Sequence, residues 1–145
     1  MTDMKEMEVK SRNAGLLLLR LTFGLGMAYH GYGKVFGGHM DNFTANVGGM
    51  GFPMPAFFAW SAALSEFAGG LAFAAGLLTL PATLSIIGTM GVAAFIAHGS
   101  DPFAKKELAL AYLSAALTIL FTGPGAFSLD ELYLKDFYAK WCKKK

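Results

Sequence analysis

RLTFGLGMAYHGYGKVFGG, residues 20–38, is apolar enough to sit in lipid, yet it carries Arg20, His30 and Lys34. A basic side chain facing lipid near the bilayer centre costs about 3 kcal/mol or more. Such groups must therefore look toward protein. A helix turns about 100° per residue. Lys34 then lies within roughly 40° of Arg20 around the axis, and His30 roughly another 40° beyond it. The three basic groups share one side, with Gly24 and Gly31 near it. Small residues let a neighbouring helix approach, so this side is expected to face the inside of a helix bundle.

Working outward, the compensating charge is Glu66, the only acid in the next apolar run. Its helical face holds Ala59, Ala62, Gly69 and Gly70, again small. At about 1.5 Å rise per residue, antiparallel spans place Glu66 between the depths of Arg20 and His30. An Arg20–Glu66 ion pair, shared with His30, is the expectation.

The composition agrees with a membrane setting. Hydrophobic residues make up 54% of the 145 and charged residues 15%, against roughly 25% charged in soluble domains. Mean hydropathy is +0.46. One domain fits this length. The net charge of +2 is small, and no basic patch interleaves with aromatics, so nucleic acid is not an expected partner. The lone Cys142 rules out an intrachain disulfide, and there is no C-x-x-C pair. The first apolar run is too long for a signal peptide and lacks a small-residue cleavage site, so it reads as a retained span.

The expected fold is all-α: a four-transmembrane-helix antiparallel bundle with a C-terminal amphipathic interfacial helix. Residues 1–13 read as a cytoplasmic N-terminal tail, 14–125 as the transmembrane domain and 126–145 as an amphipathic basic tail anchored by Tyr138 and Trp141. Spans are expected at about 14–33, 56–80, 82–98 and 103–122. A short interfacial helix is expected around residues 39–47, with Asp41 near its start. Pro81 marks a turn, Asp101 and Pro102 read as N-cap and first helical position, and Ser128 with Glu131 fits a capping box. The tails hold Lys5, Lys10, Arg12, Lys135, Lys140, Lys143, Lys144 and Lys145; the opposite loops hold only Lys34, Lys105 and Lys106. That asymmetry places both termini in the cytoplasm.

A second polar group gathers toward the other side of the membrane: His30, Lys34, His98, Asp101, Lys105, Lys106 and Glu107. Groups of alternating sign from several helices can neutralise one another around a shared space. Such a space suits an anion, a proton or a quinone head group; the plainer reading is side chains meeting lipid head groups and helix ends. The histidines match no metal-ligand spacing, and no metal site is expected.

The segments LLLRLTFGLGMAYHGYGKVFG, GFPMPAFFAWSAALSEFAGGLAFAAGLLT, AHGSDPFAKKELALAYL and TGPGAFSLDEL resemble, in order, the signatures of the DoxX family over about residues 15–133. The resemblance implies a small multi-pass protein of the bacterial cytoplasmic (inner) membrane. It implies an accessory or catalytic subunit of a quinone-linked or thiol-linked redox system. His30, Lys34 and Glu66 are the expected catalytic residues, and Arg20, His98, Asp101, Lys106 and Glu107 the expected ligand-binding ones. No cofactor is built into the chain by motif. A bound quinone, a redox partner protein and the lipid bilayer are the partners this reading calls for, and the small-residue faces leave a homo-oligomer open. Two alternatives stay open: a transporter of a weak acid or other small solute, with Arg20 and Lys34 attracting an anion, and a non-catalytic membrane assembly module.

Overall fold

The structure, a computed structural model, describes residues 2–135. Those residues are helical, without strands. Helix α1 spans Thr2–Val35 and α2 spans Met40–Gly49. Helix α3 runs Pro55–Ala75, α4 runs Thr79–Ala97 and α5 runs Phe103–Thr122. A short π-helical turn, Asp130–Leu134, closes the described chain. The polar N-terminal tail is thus a helical extension of α1, with a Lys10–Glu6 bridge of 2.8 Å on its surface. The rest of the expected C-terminal helix, with Tyr138 and Trp141, lies outside the described residues.

The four long helices pack in a ring, α1 on α3, α3 on α4, α4 on α5 and α5 back on α1. Short turns at 76–78 and 98–102 make α3, α4 and α5 antiparallel in turn, and α1 runs antiparallel to α3, since Gly24 meets Ala74 while Gly31 meets Phe67. Helices α3 and α4 are long and apolar enough to cross a membrane. Large apolar side chains line the outside of the ring, among them Leu18, Leu25, Phe57, Leu84, Phe95 and Phe121. A soluble protein seldom exposes so much apolar surface.

The α1–α3 seam explains the glycines. A Cβ on Gly24 would sit 2.6 Å from the Ala74 backbone nitrogen, and one on Gly70 would sit 2.7 Å from that of Ala28. A Cβ on Gly31 would strike the backbone of Phe67. The two backbones touch along this line, as small residues permit. The core beside it holds Met27, Phe73, Ile86, Tyr112 and Ile119.

Two regular helices are interrupted. Ser65–Gly69 in α3 and Ala93–Ala97 at the end of α4 form π-helical turns. Such turns are uncommon and gather at functional sites. The α3–α4 turn falls at residues 76–78, with Gly76 and Leu78 left-handed at φ 65° and 46°. Pro81 is therefore inside α4, near its start. Asp101 does not cap α5; Pro102 holds the cap position, and Asp101 is taken up by other partners.

Candidate functional site

Arg20 is the largest fully buried side chain, 1% exposed. Its partner is not Glu66. Nη1 donates to the Pro124 carbonyl, and Nη2 donates to the Phe127 carbonyl at 2.9 Å. The loop after α5 folds back over the end of the bundle and presents its carbonyls to the guanidinium. Gly76 makes room, since a Cβ there would sit 2.6 Å from Nη1. Asp130 completes this end. Its carboxylate accepts from the Leu78 and Thr79 amides at 2.8 and 2.7 Å, capping α4 from across the chain. Ser128 Oγ accepts from the Glu131 amide at 3.2 Å, which is one half of the expected capping box. Glu131 does not reach back; its carboxylate accepts from Lys135.

Glu66 is 4% exposed, and its partner is Lys34. Lys34 Nζ lies 2.6 Å from each carboxylate oxygen. It also sits 4.2 Å from the centre of the Phe43 ring on α2, a cation–π contact. Lysine reaches this depth because α1 carries it in its last turn, where its long stem can lie along apolar surface.

The Lys34–Glu66 pair forms the polar floor of a cavity of about 970 Å³ between α2, α3 and α4. Its walls are apolar, with Phe43, Phe52, Phe58, Leu84 and Val92. Asn46, Ser61, Ser65, Ser85, Thr89 and His98 add hydrogen-bonding groups. Both π-helical turns contribute lining residues, Ser65 and Glu66 from one, Ala93 and Ala97 from the other. A mostly apolar concavity with a few convergent polar groups is the usual form of a small-molecule site.

Of the residues singled out by sequence, Lys34, Glu66 and His98 line this cavity. His30 does not. It is exposed, edge-on to Tyr29 and to Tyr112 of α5 at ring distances of 6.1 and 6.0 Å. Arg20 lies at the opposite end. The His98 Nδ1–H donates to Asp101 Oδ2 at 2.8 Å, and Lys105 approaches Asp101 at 3.7 Å. The bond from His98 holds the Asp101 carboxyl below the usual carboxylate range, and the nearby Lys105 and His98 charges add to it. Lys106 donates to the Gly99 carbonyl at 3.0 Å, and Glu107 is exposed outside the cavity. The loop cluster therefore organises the α4–α5 turn at the cavity edge, and only His98 looks both ways.

Sequence reading missed the hydroxyls. Ser61 and Ser65, and likewise Ser85 and Thr89, stand four residues apart on otherwise apolar helices. That spacing puts each pair on one helix face, and it was a readable sign of a polar stripe.

The DoxX family model matches residues 15–99, from within α1 to just past α4. Over 139 residues the chain is 30% identical to the Inner membrane protein YqjF of Escherichia coli (strain K12), covering 91% of this chain and 98% of that relative. No solved structure matches.

Proposed function

Because the chain belongs to the DoxX family of membrane proteins, we propose that it is a four-span protein of the bacterial inner membrane whose cavity takes the head group of a quinone. In this reading it serves a quinone-linked or thiol-linked redox system as an accessory or catalytic subunit, and a partner protein supplies or removes the electrons. All four long helices cross the bilayer. Helix α1 does so with its apolar part, and α5 does so with Lys105 and Lys106 extended outward from its first turn. Both termini lie on the cytoplasmic side by the charge asymmetry, and the cavity then opens toward the outer leaflet. The Escherichia coli relative is named an inner membrane protein, which supports this placement.

The observation that carries the ligand reading is a buried ion pair at the floor of an apolar cavity. An ion pair that only stapled two helices would need no aromatic-walled space beside it, whereas charged groups converging on an apolar concavity are placed to orient a ligand. Here the pair faces about 970 Å³ of cavity walled by aromatic rings. Lys34 can donate to a carbonyl oxygen, Glu66 can take up a proton from a hydroxyl, and the phenylalanines can cover a flat ring. His98 stands where the cavity meets the α4–α5 loop and is placed to pass protons outward. Arg20 and Asp130 play no part in the ligand site; they close the opposite end.

A photoactivatable benzoquinone carrying a short alkyl tail tests this directly. Labelled peptides are expected to come from α2 and α3, around Phe43 and Phe58, and labelling is expected to fall with unlabelled quinone. Labelling spread evenly over lipid-facing residues such as Leu18 and Phe95, with no competition, would remove the proposal.

A further inference from the structure

The cavity floor holds a second polar feature beside the ion pair. Ser65 Oγ is buried and has no hydrogen-bond partner among the described residues, and Ser65 lines the cavity. A buried hydroxyl left unpaired costs about 1–3 kcal/mol; a turn about χ1 between staggered rotamers would carry this one from its covered position to the cavity that Ser65 lines. Ser65 and Glu66 are consecutive and open the π-helical turn of α3. Both side chains line this cavity.

Gly69, in the same turn, leaves a notch. A Cβ built there would stand 3.1 Å from Ser85 Oγ on α4 and 3.8 Å from Ser65 Oγ. The two hydroxyls therefore flank the point that a side chain at Gly69 would occupy. Ser85 already donates to the Ala82 carbonyl at 2.9 Å, which leaves its oxygen to accept. Ser65 remains the donor with nothing to donate to.

We infer that Ser65 is the second anchor of the site: its hydroxyl donates to one oxygen of the ligand while Lys34 donates to another, so the cavity selects a ring with two oxygens over a ring with one. This rests on the quinone reading above. The ligand class follows from the donor arrangement. One charged donor and one neutral donor, on adjoining parts of a single apolar cavity, match a flat molecule with two acceptor oxygens and little other polarity. The serine does no chemistry; it positions the ring and sets specificity.

The test measures dissociation constants of the detergent-purified full chain for decyl-para-benzoquinone and for para-decylacetophenone, which keeps the tail and ring but has one carbonyl. The wild type is expected to bind the quinone about tenfold more tightly than the ketone, the usual worth of one hydrogen bond. Ser65→Ala is expected to bind the two alike, at the strength of the wild-type ketone complex. Its melting temperature without ligand should not fall, because an unpaired buried hydroxyl has been removed. Wild type and Ser65→Ala binding the quinone equally well overturns the role of Ser65 and leaves the quinone site standing. A wild type that binds neither probe overturns both.

Discussion

Replacing Lys34 by methionine, Glu66 by glutamine, and both together isolates the interaction on which the site is built. The pair is close, with Nζ 2.6 Å from each oxygen, and unequal in burial, with side-chain exposures of 25% for Lys34 and 5% for Glu66. At an effective dielectric constant of about 20 and a charge separation of roughly 3.5 Å, the attraction is roughly 5 kcal/mol. Desolvation of two ions offsets much of it. Lys34→Met alone strands a carboxylate in an apolar surround and should cost about 3–5 kcal/mol. The double variant carries no stranded charge and should lose at most about 1 kcal/mol, since replacing both members of a buried pair is often neutral or better. The coupling in a double-mutant cycle is then at least about 2 kcal/mol. Unfolding midpoints in mixed micelles, followed by circular dichroism, supply the four values. Single losses that simply add would refute the pair as a coupled unit. Lys34→Met should also free α2, since it loses the contact with Phe43, and proteolysis between residues 37 and 52 should quicken.

Arg20→Met and Glu66→Gln are expected to add without coupling, because the two side chains share no partner; a coupling above about 1 kcal/mol in the same assay would restore the pair first expected from sequence. Asp130→Ala removes the two amide caps of α4 and should cost about 1–2 kcal/mol in unfolding free energy, with faster hydrogen exchange confined to residues 76–80. Gly31→Val drives a side chain into the backbone of Phe67 and should abolish folded protein in detergent extracts, whereas Gly88→Ala, which meets nothing within 4 Å, should express normally. The depressed Asp101 carboxyl gives a pH effect of definite sign. Its contribution is present above the ordinary carboxylate range and is lost as pH falls through the lowered value in the folded protein. Protection from exchange at residues 98–101, taken relative to the intrinsic rate at each pH, should therefore fall only at acid pH, and Asp101→Asn should remove that acid step; an unchanged profile would show that the His98 bond does not order the loop.

Much of the framework was legible because it rests on periodicity and small residues. The apolar runs, Pro102 and Gly123 fixed the α5 limits, and Gly24, Gly31 and Gly70 marked the α1–α3 seam before any contact was visible. The pairing of charges was not legible to the same degree. Depth arithmetic put Glu66 within reach of Arg20, but it could not show that the loop at 123–128 returns to offer carbonyls to the guanidinium. That return is a long-range event with no local signal beyond glycine and proline. His30 was misplaced for a related reason. Three basic groups spread over roughly 80° of helix surface need not enter one space, and His30 meets Tyr112 of α5 while Lys34 meets Glu66 of α3. The serines escaped notice because a hydroxyl in an apolar helix is as often bonded to its own backbone as to a ligand. Ser61 does donate to the Phe57 carbonyl at 2.8 Å; Ser65 does not find such a partner.

The central claim is that the Lys34–Glu66 cavity holds a quinone. Its most direct test is the lipophilic extract of the chain purified from its own membrane, quantified by mass spectrometry against Lys34→Met and Glu66→Gln prepared alongside. The account predicts quinone near one molecule per wild-type chain and a loss of about tenfold or more in both variants, at equal phospholipid content. Equal quinone in all three samples, tracking phospholipid alone, would contradict it.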